Sequence, residues 1–153
     1  MKRVIVSGYF NPLHGGHLDM IEAAKQLGDF LIVIVNNDVQ QLHKKGKIIL
    51  DEATRLRLMQ SLRPVDSALI SVDQDPSQAQ TLRKIRQLYP DDELLFANGG
   101  DRDPLKHALP DNETQACADC HIQTVFGVGS SQVEKRDSST RINQATGHEA
   151  ATD

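Results

Sequence analysis

Residues 4–17 read Val4-Ile5-Val6-Ser7-Gly8-Tyr9-Phe10-Asn11-Pro12-Leu13-His14-Gly15-Gly16-His17, and this order of residue types decides the fold class. A short apolar run without alternation, closed by a glycine, suits a strand buried on both faces. Beyond it Met20, Ala23, Ala24 and Leu27 fall at i, i+3, i+4 and i+7, one face of a helix from Gly16 to Leu27. Strand, glycine-bearing turn and helix in that order open a strand–helix–strand unit.

Working outward, the same alternation continues. Phe30–Val35 is a second, wholly apolar strand, and the polar stretch from Asn36 to Lys47 reads as a loop carrying Lys44, Lys45 and Lys47. Asp51 caps a helix running to about Leu62, and Ser67–Val72 reads as a third strand. Asp75-Pro76 places a capping residue and an N1 proline at the head of a helix that ends near Tyr89-Pro90. Leu94–Ala97, a weaker helix over Asn112–Ala118, and Ile122–Val128 follow. A last helix begins near Ser138. Strands and helices alternating in this way predict a parallel five-stranded sheet covered on both faces, an open doubly wound α/β fold in three layers. In such a fold ligands bind beyond the carboxyl ends of the strands, at the switch point.

The chain of 153 residues is close to one domain in length, read as a single unit over 1–146 with a flexible tail at 147–153. Seventeen Lys and Arg against 21 Asp and Glu leave a net charge of −4, which argues against a protein that grips nucleic acid through its phosphates. Aromatic residues make up 4% and Trp is absent, which removes the stacking platforms of single-strand binders. Two Cys make no disulfide framework, and no apolar run approaches a membrane span. With a strand under way by Val4, no signal peptide fits ahead of it, and the expectation is a soluble cytoplasmic domain.

Three post-strand segments carry polar chemistry. His14 and His17, three apart around a glycine pair, stand where a loop becomes a helix. A helix N-terminus offers unpaired N–H groups and the positive end of a dipole, and two imidazoles at i, i+3 share a face from which both can donate to one phosphate. A zinc site is the weaker reading, since helical zinc pairs sit at i, i+4 and need a third ligand. The second segment is Asn98-Gly99-Gly100-Asp101-Arg102, which alone could be a tight turn. The third is Lys135-Arg136-Asp137-Ser138-Ser139-Thr140-Arg141, where hydroxyls at a helix start beside guanidinium groups make an anion site. Cys117-x-x-Cys120-His121 has the spacing of a haem, zinc or redox site, but it lies past a helix C-terminus and a ligand short of zinc. It reads as structural.

The stretch Gly8–His17 resembles the first motif of the cytidylyltransferase-like nucleotidyltransferases, whose core is His-x-Gly-His, and the resemblance runs from Val4 to about Ile142. It implies a Rossmann-like sheet of strand order 3-2-1-4-5. It further implies that His14 and His17 are catalytic and that Gly8, Tyr9, Phe10, Gly15 and Gly16 line the nucleotide. Lys45 and Lys47 are favoured as the cations folding over the triphosphate. Asp101 stands in a loop similar to the Gly-Gly-Asp that lines the nucleotide pocket, with Asn11, Arg55, Asp101 and Arg102 toward the acceptor. Ser138, Ser139 and Thr140 resemble the late motif that holds the β- and γ-phosphates. There Asn143 replaces an expected Arg, and Arg141 or Arg136 supplies the cation.

The reaction so implied is nucleotidyl transfer. A phosphate or phosphonate on a small acceptor attacks the α-phosphorus of CTP or ATP, with Mg²⁺ on the phosphates, and pyrophosphate leaves. No general base is required, which fits a chain with no candidate catalytic triad. Within the family, Gly99-Gly100-Asp101 leans toward cytidylyltransferases and heptose-type adenylyltransferases, Phe10-Asn11-Pro12 and Ser138-Ser139-Thr140 lean toward adenylyltransferases, and the balance taken from sequence is CTP. The family also implies a homodimer. Among competing classes, an NAD-dependent oxidoreductase lacks its Gly-x-Gly-x-x-Gly after the first strand. A class I aminoacyl-tRNA synthetase fragment would share His-x-Gly-His but lack a tRNA-binding domain. A non-catalytic nucleotide-binding regulator is weakened by the presence of both His and the Ser-Ser-Thr.

Overall fold

A computed structural model describes residues 1–99 and 109–129. Asp101, Arg102, Ser138, Ser139, Thr140 and Arg141, with the expected last helix and tail, lie outside the described residues. The elements run β1 (Lys2–Gly8), α1 (Gly15–Lys25), β2 (Phe30–Val35), α2 (Asp38–Lys45), α3 (Glu52–Gln60), β3 (Ser67–Ile70), α4 (Ala79–Leu88), β4 (Glu93–Gly99), α5 (Asp111–Asp119) and β5 (Gln123–Val128).

All five strands are parallel, in the order β3-β2-β1-β4-β5. β1 aligns Val4 with Leu31 and Ile5 with Ile32 on one side, and Ile5 with Phe96 on the other. Because successive strand residues point to opposite faces, the apolar runs divide between two cores. Val4, Val6, Leu31, Val33 and Val35 pack with Ile21 and Ala24 of α1 and Met59 of α3. Ile5, Ile32, Ile34, Leu94 and Phe96 pack with Leu82 and Ile85 of α4 and with Ala116 and Cys117 of α5. Each fully buried Val, Leu, Ile, Phe or Met side chain among them contributes about 1.5–3 kcal/mol. The three-layer fold expected from the strand–helix alternation is therefore present, with β1 and β4 flanking the switch point. No helix among the described residues is long and apolar enough to cross a membrane.

Several boundaries differ from the sequence expectation, each for a local reason. The third strand ends at Ile70 rather than Val72: Ser71 N–H still reaches Val35 O at 2.8 Å, but Val72 N–H turns to Thr81 Oγ1 at 3.0 Å. The helix expected to start at Pro76 starts at Ala79. Asp75 spends its carboxylate on the N–H and hydroxyl of Ser77, while buried Asp73 takes the N–H groups of Gln80 and Thr81 at 2.8 and 2.9 Å. The supposed loop from Asn36 contains a helix, α2.

Cys117 is buried between sheet and α5, and its thiol is pushed up to about 11 by burial, Glu113 and Cys120. A thiol so placed is protonated and unreactive at neutral pH. Among the described residues no group of three or more His, Cys, Asp or Glu side chains could hold a metal ion.

Candidate active site

β1 delivers its last residue, Gly8, to the carboxyl edge of the sheet beside the switch point. A Cβ on Gly8 would lie 2.8 Å from the ring of Phe10, so only glycine lets that ring fold back beneath the strand end. Phe10 is buried and sits at φ 52, a left-handed conformation that a bulky residue adopts at a cost of order 1–3 kcal/mol. Its ring meets His17 edge-on, with centroids 5.1 Å apart.

His14 is the N-cap of α1, in extended backbone conformation. Its Nδ1 accepts from Gly16 N–H at 3.1 Å, and His17 Nδ1 accepts from His14 N–H at 3.3 Å. Two imidazoles thus build a reciprocal cap of the kind usually made by Ser or Thr with Glu. The rings stack at 3.8 Å with an interplanar angle of 25°. A neutral imidazole that accepts at Nδ1 carries its proton on Nε2, so the cap fixes both rings as Nε2–H donors. The first turn of α1 holds no acidic residue, and no described residue lies within 4 Å of where a Gly15 Cβ would be. Among the described residues, the first turn of α1 thus brings no carboxylate of its own and nothing covers Gly15, as suits an anion site.

On the other side of this loop stand the lysines. α2 ends at Gly46, whose φ of 74 makes a left-handed cap. Lys44 Nζ lies 4.8 Å and Lys45 Nζ 5.9 Å from the centroid of the Tyr9 ring. Lys47, favoured from sequence together with Lys45, lies beyond the cap, whereas Lys44 is the ammonium closer to Tyr9. Burial raises the Tyr9 hydroxyl above its ordinary value against the opposing charge of Arg55, so the ring is neutral.

Asn11 and Arg55, expected to face the acceptor, have a different place. Both are 0% exposed. Arg55 donates from Nε to Leu50 O at 2.8 Å, from Nη1 to Tyr9 O at 3.1 Å and to Asn36 O, and from Nη2 to Asp38 Oδ1 at 3.0 Å. Asn11 accepts from Leu50 N–H at 2.9 Å and donates to Gln41 Oε1, which also accepts from Ile49 N–H at 2.8 Å. These side chains clamp together the loops after β1 and β2 and the α2–α3 connection. Both side chains are buried within this clamp.

Sequence reasoning missed Asn36, Asp38, Gln40 and Gln41 in this clamp. One signal was available: Asn37 and Gln40 form a second reciprocal cap, with Asn37 Oδ1 accepting from Gln40 N–H and Gln40 Oε1 from Asn37 N–H, both at 2.9 Å. An Asn-x-x-Gln spacing marks a helix start.

The family model described as cytidylyltransferase-like matches residues 5–145. An FAD synthase from Methanolacinia petrolearia (strain DSM 11571 / OCM 486 / SEBR 4847) is 37% identical over 117 residues, 76% of this chain and 75% of that protein. The bifunctional protein HldE of Histophilus somni (strain 129Pt) is 40% identical over 105 residues, 67% of this chain and 20% of that protein. The chain spans little more than half the length of some other FAD synthases it matches, 56% and 55% in two of them. Among solved structures, the lipopolysaccharide core biosynthesis protein from Thermoplasma volcanium GSS1 is 27% identical, with a TM-score of 0.65 over 90% of this chain and 99% of that one.

Proposed function

The chain belongs to the cytidylyltransferase-like family, and from that premise we propose that it transfers AMP from ATP to a small acceptor carrying a phosphate, releasing pyrophosphate. The observation that carries the proposal is the stacked pair of His14 and His17, fixed as Nε2–H donors at the N-terminus of α1. Two such donors on one face suit the charge that develops on the α-phosphate during in-line attack.

The acceptor phosphate is already an anion, so the chemistry needs positioning and charge neutralisation and no base. His14 and His17 hold the α-phosphate oxygens. Lys44 and Lys45, with Ser138, Ser139, Thr140 and Arg141, take the departing pyrophosphate, and Asp101 and Arg102 serve the nucleoside and acceptor. Magnesium arrives with the triphosphate as part of the substrate. The described side chains around His14 and Tyr9 are imidazoles, ammonium groups and amides, which do not build a magnesium cage of their own.

The choice of base departs from the sequence balance, which leaned to CTP. FAD contains AMP joined through a pyrophosphate, and several of the relatives carry the name FAD synthase, which supports ATP as donor. The test is pyrophosphate release with ATP, CTP, GTP or UTP and magnesium against flavin mononucleotide, sugar phosphates and polyol phosphates. A mismatched base leaves buried groups unpaired at about 1–3 kcal/mol each, so ATP should lead by about 5- to 150-fold. Preference for CTP overturns the base. Tight nucleotide binding with no pyrophosphate from any pair points to a regulator.

A further inference from the structure

The sequence motif ends its strand in Gly8 and continues Tyr9-Phe10, two adjacent aromatic residues whose rings serve different partners. Phe10 packs against His17, and Tyr9 presents its face to the last turn of α2. We infer that Tyr9 is a positioning residue: its ring face seats the ammonium groups of Lys44 and Lys45 and so sets where the site presents cations to a ligand's phosphates. The inference goes beyond the proposed nucleotidyl transfer and rests on it only for the identity of those phosphates.

Three features support it. First, ring and lysines belong to parts that cannot drift independently. The Tyr9 carbonyl accepts from Arg55, the same guanidinium binds Asp38 at the start of α2, and Gln41 of α2 bonds Asn11. Second, Lys45 is only 6% exposed, and a partly desolvated ammonium gains more from an aromatic face than one in water. The carbonyl end of α2 adds attraction for both cations, and the left-handed Gly46 stops the helix directly after them. Third, the Tyr9 hydroxyl is buried without a hydrogen-bond partner among the described residues. What Tyr9 contributes is therefore its face, not its hydroxyl. Cations held before the ligand arrives need no reorganisation when charge develops, which is the condition for effective electrostatic stabilisation.

The experiment compares wild type, Tyr9→Phe and Tyr9→Leu, with Tyr9→Met as a second non-aromatic variant should Leu fail to fold by its melting curve. Two quantities are read: the rate at which Lys44 and Lys45 are acetylated by an amine-reactive reagent, located by mass spectrometry, and the affinity for inorganic pyrophosphate. Removing the ring should speed acetylation and weaken pyrophosphate binding about 5- to 10-fold each, the scale of one lost cation–π seat. Tyr9→Phe should restore both. Acetylation unchanged in the non-aromatic variants overturns the inference, as does faster acetylation with pyrophosphate affinity unchanged. A melting temperature that falls without either change marks a merely structural ring. A wild type that binds pyrophosphate through these lysines yet transfers no nucleotide leaves the inference standing and removes the proposed function.

Discussion

At the scale of residues, His14 has two duties that substitution can separate. It caps α1 through Nδ1, and under the proposed function it also offers Nε2–H to the nucleotide. His14→Ala loses both, and loss of a cap costs about 1 kcal/mol, which lowers Tm by about 2–4 °C in a chain of this size. His14→Asn keeps a capping oxygen and should melt near wild type. Turnover should fall about 10²- to 10³-fold in both, as for His17→Ala, because each removes a preorganised donor. Melting curves and pyrophosphate release on the same preparations check this. Recovery of turnover by His14→Asn would make the residue a cap and nothing more. The pair, its spacing and its place after an apolar strand were legible in the sequence. The mutual capping was not, since it depends on side-chain torsions that spacing does not encode.

At the scale of elements, α2 explains most of what the sequence concealed. Its pattern is inverted: Gln40, Gln41 and Lys45 are buried, while Val39 and Leu42 are each 48% exposed. A reading based on apolar periodicity sees no helix there, because the buried face is satisfied by hydrogen bonds rather than by hydrophobic contact. The buried clamp of Arg55 is hidden from the sequence for a related reason. An arginine near a phosphate motif reads as a ligand contact, and only the three-dimensional clamp reveals three backbone carbonyls and Asp38 already engaged. Arg55→Met leaves those acceptors unpaired and should cost about 3 kcal/mol or more in denaturant unfolding. Arg55→Lys, which cannot span all four acceptors, should recover only part of that. A loss below about 1 kcal/mol for Arg55→Met would show that the clamp does not hold the loops.

At the scale of the whole molecule, the layered sheet followed from strands that are apolar without alternation, and its strand order from the resemblance carried by Gly8–His17. The carboxylates around the sheet predict how the fold responds to acid. Asp92 is held below the usual carboxylate range by its bond from Arg3, Asp75 by Ser77, and Asp51 by the Thr54 N–H it caps. At Asp66 burial pushes upward, but bonds from Lys25 and the Leu31 N–H outweigh it and the carboxyl is also lowered. A group whose folded value lies below its unfolded value, about 3.9 for Asp, stabilises above that value and ceases to do so as pH falls through the folded one. These carboxylates should therefore leave Tm unchanged from neutral pH to about 5 and lower it below about 4. Asp92→Asn should flatten that decline. A Tm that falls steadily from pH 8 to 5 would assign the linkage to other groups.

Under the proposed function, the bond broken lies between the α-phosphorus and the oxygen that bridges it to the β-phosphate. ATP labelled separately at the α- and γ-phosphorus, incubated with magnesium and the acceptor found in the panel, distinguishes the outcomes directly. α-Label should enter the acceptor product and γ-label pyrophosphate, both about 10²- to 10³-fold more slowly in His17→Ala. Label from the γ-position released as orthophosphate, with the α-label left in ADP, would contradict it.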